Sequence, residues 1–185
     1  PYSERQEALY NELKERLDMM GGGIRRLLTH SVGLYGMHLE KSGVNLREMI
    51  ERVVLQYRMI SGKKIDMECD LDEICLYADP VHLSEAIANL VENAVKYTGE
   101  NARIRVKCGV KGKYVYIVVA DNGPGIPEKE MHRIFRKYYR ASGSQKGFGL
   151  GLNYVWKVVA AHNGKIEVKN KSGCEFTIIL PWKKG

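Results

Sequence analysis

The chain has 185 residues, 44% of them hydrophobic, which is enough to bury one sizeable core and to carry a small appendage. Its longest apolar stretches fall short of the roughly 18 to 20 residues that a membrane-spanning helix needs, and no charged-then-apolar leader opens the sequence. Because the chain opens with Pro1, we expect it to be an excised piece of a longer protein.

The formal net charge of +7 would permit contact with a polyanion such as nucleic acid or a membrane surface. Basic residues are nevertheless spread along the chain with Asp and Glu between them, and no helix-turn-helix, zinc-finger or aromatic-plus-basic stacking motif occurs. The charge pattern therefore predicts a solvated mixed surface and no nucleic-acid partner.

The cysteines are scattered and contain no C-x-x-C pair. This spacing favours reduced, partly buried thiols over a disulfide frame or a zinc site. The four are Cys69, Cys75, Cys108 and Cys174.

Residues 10–38 carry an apolar seam spaced alternately by three and four, which predicts a helix that seeks a partner helix. The glycine run at 21–23 opposes this prediction, since each glycine inside a helix costs about 1 kcal/mol relative to alanine. Either packing overrides that cost or the helix bends there. Lys41-Ser42-Gly43 reads as a helix stop, so we place a domain boundary between the appendage, 1–43, and the globular domain, 44–185.

The globular domain mixes helix and strand patterns without strict βαβ alternation. Asp79 is a plausible N-cap with Pro80 in the first turn of a helix. This mixture favours an α/β fold, a two-layer sandwich with helices on one face of a mixed sheet. Helices are predicted at 46–60, 80–97 and 150–162, and strands at 64–69, 74–77, 103–110, 114–120, 165–170 and 175–180.

The first chemical cluster lies on the helix at 80–97. Asn89 and Asn93 stand four residues apart, which puts both amides on one helix face, and Lys96 lies near that face. Amide oxygens with a nearby cation suit a hydrated magnesium ion and phosphates. An isolated pair of helical asparagines is more often simply solvated, so that interpretation stays open.

The second cluster, residues 121–126, follows a β-rich run directly. A carboxylate at the end of a strand, here Asp121, can accept a hydrogen bond from an exocyclic amine. Gly123 and Gly125 would allow close backbone approach. The same letters are also strong turn sequence in any fold.

The third cluster, residues 134–140, mixes aromatic side chains with cations, and the fourth, 147–152, is a glycine-rich run just before a helix. Glycines at a helix N-terminus expose backbone N–H groups beside the positive end of the dipole, which attracts phosphate. The run differs from the dinucleotide fingerprint and the Walker loop, because no Gly-Lys-Ser or Gly-Lys-Thr follows and no strand precedes it.

In this order, the four clusters resemble the N, G1, F and G2 boxes of histidine kinase catalytic domains, within the wider family that includes gyrase-type ATPases. The resemblance covers about residues 44–181, and the segment 161–166 also resembles the one after the family's G2 helix. It implies a Bergerat-type ATP-binding fold, preceded by an N-terminal helix similar to the second dimerisation helix. It also implies ATP and Mg²⁺ as cofactors.

The family's pattern implies a role for each matching residue. Asn93 would coordinate magnesium, Asp121 would read the adenine amino group, and Tyr97 would lie beside the nucleotide. The catalytic residues near the phosphates would be Asn89, Lys96 and Arg140. Further nucleotide contacts would come from the second cluster, from a lid over about 128–147, and from the glycine-rich run that forms its hinge. These residues are Gly123, Gly125, Ile126, Phe135, Gly147, Gly149, Leu150 and Gly151.

One position separates kinases from hydrolases within this resemblance. Gyrase-type, chaperone and mismatch-repair ATPases place a water-activating glutamate four residues before the key asparagine, and this chain has Asn89 there. Without a general base aimed at water, the terminal phosphate should be kept for an external nucleophile. Glu92 points about a quarter-turn away on the helix and is a poor substitute.

Histidine kinases carry their nucleophile on the first dimerisation helix, as a histidine usually followed by an acidic residue, with Arg and Pro nearby. Neither His30 nor His38 fits, so we expect this chain to bind nucleotide without autophosphorylating. His82, His132 and His162 are expected to be structural or surface residues.

The resemblance implies a parent protein with wider partners. That parent would be a membrane-anchored homodimeric sensor with a cytoplasmic catalytic domain, which phosphorylates its own dimerisation-domain histidine and signals to a response regulator. Two alternatives stay open. One is a nucleotide-binding regulatory scaffold without transfer, and the other is an anti-sigma-type serine kinase.

Overall fold

The structure, a computed structural model, describes residues 37–70, 73–139 and 149–182. The chain divides into two compact units, Pro1–Met37 and His38–Gly185. All the described helices and strands belong to the second unit. The predicted N-terminal helix lies almost wholly outside the described residues. Arg140 and Gly147 also lie outside them, so the helix and the roles of these two residues stay predictions.

The described residues form helices and strands in mixed order. The helices are α1 (Leu46–Ser61), α2 (Pro80–Tyr97), α3 (Glu128–Met131) and α4 (Gly151–Ala161). The strands are β1 (Ser42–Asn45), β2 (Ile65–Cys69), β3 (Cys75–Ala78), β4 (Ile104–Lys111), β5 (Tyr114–Ala120), β6 (Lys165–Asn170) and β7 (Cys174–Pro181).

The main sheet has five strands in the order β2-β4-β5-β7-β6. Strands β2 and β4 run parallel, whereas β4–β5, β5–β7 and β6–β7 are antiparallel. Strands β1 and β3 form a separate antiparallel pair. The sheet is therefore mixed, as predicted, and the predicted strands at 103–110 and 114–120 form the antiparallel hairpin β4–β5.

The core lies between one face of this sheet and the helices. Alternate residues of the central strands are buried, as the period-2 geometry of a strand requires when one face is covered. From the other layer, α2 and α4 pack against each other and bury apolar side chains such as Leu90 and Val158. Each such side chain contributes about 1.5–3 kcal/mol. The helices thus cover one sheet face, which confirms the predicted sandwich.

Local capping fixes the start of α2, the helix that carries the first cluster. Asp79 has extended backbone angles, its side chain accepts a hydrogen bond from the backbone N–H of His82 at 2.9 Å, and Pro80 follows at the first helical position. The predicted cap is confirmed. Because the cap sets the first residue of α2, it also sets the heights at which Asn89 and Asn93 project.

One prediction needs correction: Ser42 and Gly43 read as a helix stop, but both belong to strand β1 and pair with Ala78 and Tyr77 of β3. The local sequence shows no strand alternation. The strand forms because it pairs with β3, about thirty residues or more further along the chain. The other predicted boundaries agree with the structure or differ from it by a single residue. Within the described residues, no helix combines the length and the apolar character needed to cross a membrane.

Candidate nucleotide-binding site

Helix α2 presents the two predicted asparagines at different depths. Asn89 is buried, and its Nδ2 donates to the backbone carbonyl of Glu85 at 2.8 Å. Asn93, one turn further on, is half-buried, and its carboxamide forms no hydrogen bond with any described residue. Asn93 therefore has its full amide available for a ligand, whereas one N–H of Asn89 is already used within the helix.

Asn89 brings the first cluster against the fourth. A Cβ built on Gly151, the first residue of α4, would lie 2.8 Å from Oδ1 of Asn89. Only glycine lets the start of α4 approach the asparagine face of α2 this closely. Two clusters more than fifty residues apart in the chain are thus adjacent in the fold.

The N-terminus of α4 has the character expected of a phosphate site. No side chain caps it, and its first turn contains no acidic residue. The first N–H groups of a helix have no partner within the helix, and the dipole favours an anion beside them. Gly149 precedes this turn with φ +68° and accepts a hydrogen bond through its carbonyl from the N–H of Tyr138. Leu150 is buried beneath it.

Asp121 stands at the end of β5 as predicted. Its Oδ1 accepts hydrogen bonds from the backbone N–H groups of Gly123 at 2.7 Å and Cys174 at 3.3 Å. Its Oδ2 has no hydrogen-bond partner among the described residues. Burial raises the pKa of this carboxyl, and the N–H donors of Gly123 and Cys174 oppose that rise. One oxygen is thus held by the backbone, and the other can accept from the amino group of a base.

The loop after Asp121 is compressed against α2. A Cβ on Gly123 would lie 2.9 Å from Oδ1 of Asp121 and 2.9 Å from the backbone carbonyl oxygen of Tyr97. This glycine therefore lets the second cluster approach the C-terminal end of α2. At that end the Nζ of Lys96 lies 3.2 Å from the hydroxyl of Tyr97 and 4.8 Å from the centre of its ring.

Asn170, at the end of β6, holds the rest of this loop and was not predicted from the sequence. Its Oδ1 accepts from the N–H of Ile126 at 3.0 Å, and its Nδ2 donates to the carbonyl of the same residue at 2.7 Å. Gly125 has φ +72°, and a Cβ there would lie 2.8 Å from Oδ1 of Asn170. The predicted pocket-shaping role of Gly125 thus depends on a residue outside every motif.

Two more unpredicted residues support the site. Gly173, in the turn between β6 and β7, packs so tightly on the backbone of Asp121 that a Cβ would overlap it. Asn153 of α4 donates through Nδ2 to the carbonyl of Phe135 at 2.8 Å. Phe135 itself packs edge-on against Phe176 in the core, with ring centres 6.4 Å apart. In the described structure Phe135 thus anchors the third cluster to the sheet.

The residues present fit a purine nucleotide with magnesium. The carboxylate oxygen of Asp121 suits an exocyclic amine, the uncapped start of α4 suits a phosphate, and the amide oxygen of Asn93 is a hard ligand of the kind magnesium takes. The structure brings Asn89 close to Gly151, and it brings Gly123 close to both Tyr97 and Asp121.

Comparisons with known proteins agree with this geometry. The family described as histidine kinase-, DNA gyrase B- and HSP90-like ATPases matches residues 78–184. The adaptive-response sensory kinase SasA of Crocosphaera subtropica is 30% identical over 172 residues, covering 89% of this chain and 45% of the relative. The histidine-protein kinase BaeS of Escherichia coli K12 is 31% identical over 153 residues, covering 78% of this chain and 33% of the relative. The chain thus spans less than half the length of these two relatives.

Solved structures show the same similarity. The nucleotide-free catalytic domain of the histidine kinase ThkA superposes with a TM-score of 0.71 at 29% identity, covering 77% of this chain and 96% of that domain. The mycobacterial sensor histidine kinase MprB gives a TM-score of 0.69 at 29% identity, covering 76% and 97%. The chain therefore belongs to the histidine kinase-, DNA gyrase B- and HSP90-like ATPase family, and it contains an ATP-binding catalytic domain of the sensor histidine kinase type.

Proposed function

We propose that this chain transfers the γ-phosphoryl group of Mg-ATP to a histidine on a dimerisation helix of its parent protein. The observation that carries the proposal is the close approach of Asn89 of α2 to Gly151 of α4, which sets the Asn89 amide beside an uncapped helix N-terminus, with Asn93 one turn further along α2. Phosphoryl transfer needs mainly positioning and charge neutralisation, and such a surface supplies both.

The residue roles in this proposal are those that the family's pattern implies, and the contacts of Asn89 and Asp121 support them. Asn93 would hold the magnesium ion, which neutralises charge on the phosphates when it is bound. Asp121 would orient the adenine through its unpaired oxygen. The N–H groups at the start of α4 would hold phosphate, and Lys96 would supply a cation. Arg140, which lies outside the described residues, would supply a second cation by the family's pattern.

The position of Asn89 favours a kinase over a hydrolase. Its side chain is an amide, and it is turned back to donate to the carbonyl of Glu85 on its own helix. An amide cannot take a proton from water as a carboxylate does. Without a base at this position, water attack on the terminal phosphate should be slow, which leaves the phosphoryl group for a histidine.

The partners belong to the same proposal. Residues 1–43 would contribute the second dimerisation helix and residues 44–185 the catalytic domain of a homodimeric sensor. ThkA in complex with the response regulator protein TrrA superposes on this chain with a TM-score of 0.76 at 25% identity, covering 99% of this chain. This supports a response regulator as the downstream partner. The proposed parent is a membrane-anchored sensor with its catalytic domain on the cytoplasmic side, as the family's pattern implies.

A phosphotransfer assay tests the proposal. The chain is incubated with radiolabelled ATP, magnesium and a separate dimerisation-helix fragment that carries a phosphoacceptor histidine. We expect acid-labile label on that fragment, and none with Asn93→Ala. Asn101→Ala is the matched control, since Asn101 is an exposed asparagine on a turn, and it should keep full transfer. Acid-stable label would indicate a serine kinase, and nucleotide binding without any label would indicate a regulatory scaffold.

A further inference from the structure

Two cysteines on neighbouring strands of the sheet lie in direct contact. Cys69 ends β2 and is the register partner of Cys108 on the parallel strand β4, and their Sγ atoms are 2.6 Å apart. Residues in register on adjacent strands point to the same face, which here is the face covered by the helices. Neither thiol takes part in the nucleotide site.

The strand geometry suits a covalent link. Neighbouring strands lie about 4.7–4.9 Å apart, and disulfides join residues whose Cα atoms are about 4.4–6.8 Å apart. The two sulfurs already face each other, so the bond can form without movement of the backbone.

The two thiols differ in access. Cys108 is fully buried, and burial, followed by the hydrogen bond to Cys69, raises the pKa of its thiol. Cys69 is only half-buried and ends β2, which is the outermost strand on that side of the sheet. An oxidant therefore reaches Cys69 first, and Cys108 is the resolving thiol behind it.

We propose that Cys69 and Cys108 form a reversible disulfide with each other. The oxidant is a low-molecular-weight disulfide such as oxidised glutathione. The Cys69 thiolate attacks one glutathione sulfur and releases one glutathione thiolate. The Cys108 thiol then gives up its proton to solvent, and its sulfur attacks that of Cys69 and displaces the second glutathione. Two protein thiols are oxidised to one disulfide, and one glutathione disulfide is reduced to two thiols.

This modification site lies away from the nucleotide. Cys108 pairs with Ile117 in the middle of β5, whereas Asp121 follows Ala120 at the end of β5, where that strand pairs with Arg105. The link would join the edge strand β2, and α1 before it, to the centre of the sheet. Sites this far apart usually act independently, so we expect oxidation to change nucleotide affinity by no more than about twofold.

The test uses the whole chain with Cys75→Ser, because Cys75 is the exposed thiol among the described cysteines. After treatment with oxidised glutathione, mass spectrometry should show the loss of two thiol hydrogens and one peptide that joins Cys69 to Cys108. The melting temperature should rise by about 5–15 °C and return on reduction with dithiothreitol.

Adding Cys69→Ser should abolish both the joined peptide and the thermal shift. Cys69→Ser is preferred to Cys108→Ser as the test variant. It replaces a half-buried side chain, whereas serine in place of the fully buried Cys108 could prevent folding. A stable glutathione adduct on Cys69 without the joined peptide would overturn the proposal. Two thiols that both stay free under the same oxidant would overturn it equally.

Discussion

Oδ1 of Asn89 faces Gly151 so closely that a Cβ on this glycine would come within 2.8 Å of it. That separation is shorter than van der Waals contact. The Asn89 side chain is buried and held by its hydrogen bond to Glu85, and Gly151 is the first residue of α4. The approach of these two helices is therefore set by the absence of a single methyl group.

Gly151→Ala should weaken ATP binding by about tenfold or more, because the methyl group must push α4 or the Asn89 amide out of place. Stability should change little, since alanine favours a helix by about 1 kcal/mol over glycine and offsets part of the clash. Gly99→Ala is the matched control, since nothing lies within 4 Å of its Cβ position. Calorimetric titration that gives the two variants equal affinity would contradict the predicted phosphate site.

Asp121→Asn should lower nucleotide affinity by about tenfold or more and raise the melting temperature by a few degrees. Asparagine can still accept from Gly123 and Cys174 through one oxygen, but it then presents an NH₂ donor to the amino group of adenine. Stability should rise because the buried charge is gone. Thermal melting with and without ATP checks both effects, and an Asn variant that binds as tightly as the native chain would remove Asp121 from the base-reading role.

ATP affinity should also weaken on acidification, and the loss should begin above the ordinary carboxyl pKa of 3.8. Burial raises the pKa of Asp121, so the carboxyl gains its proton at a higher pH than an exposed aspartate would. The proton converts an acceptor into a donor that opposes the adenine amine. Titrations across the acidic range should show this slope in the native chain and lose it in Asp121→Asn.

Asp79→Ala should lower the free energy of unfolding by about 1–2 kcal/mol, the usual cost of losing a helix N-cap. The side chain accepts from the N–H of His82 and, through its other oxygen, from the N–H of Glu40 at 2.8 Å. Asp79→Asn keeps an acceptor and should lose less than half as much. Urea unfolding measures both, and equal losses in the two variants would show that the cap hydrogen bond is not the cause.

His162 should make the fold less stable below neutral pH. Its ring is buried, Nδ1 lies 2.8 Å from the carbonyl of Val158, and Nε2 accepts from the N–H of Asp79 at 2.9 Å. This pattern requires the neutral ring with Nδ1 protonated, and burial lowers the pKa of His162 below its usual 6.5. Charges near the ring come from Lys41, Asp79 and His82.

The sign follows from proton binding. Below about pH 6.5 the unfolded chain binds a proton at His162 that the folded chain does not. The free energy of unfolding therefore decreases as the pH is lowered, until the folded pKa is reached. The slope from this one group is at most about 1.4 kcal/mol per pH unit. Melting curves between pH 7.5 and 5.5 should lose part of this slope in His162→Gln and keep it in His132→Gln, since His132 is exposed.

The elements predicted well from the sequence are those with local signals. Helix α2 begins at its Asp79–Pro80 cap and ends before Thr98-Gly99, and β5 follows a short basic turn, so these bounds depend on neighbouring residues. Strand β1 was not predicted, because its order comes from pairing with β3 rather than from its own composition.

The same distinction holds at the site. The asparagines of α2 and the strand-end Asp121 were found from their spacing and their place on an element. Asn170 and Gly173 were missed, since their contacts reach residues 121–126, more than forty positions earlier in the chain. No short motif records a contact of that separation. The positive φ of Gly125 explains the glycine itself and does not identify Asn170 as its partner.

Titration of Mg-ATP into the native chain, Asn93→Ala and Asp121→Ala by calorimetry tests the central claim most directly. We predict saturable binding by the native chain, and no measurable binding by either variant, with melting curves showing that both variants remain folded. Unchanged affinity in both folded variants would contradict the assignment of these residues to the nucleotide site.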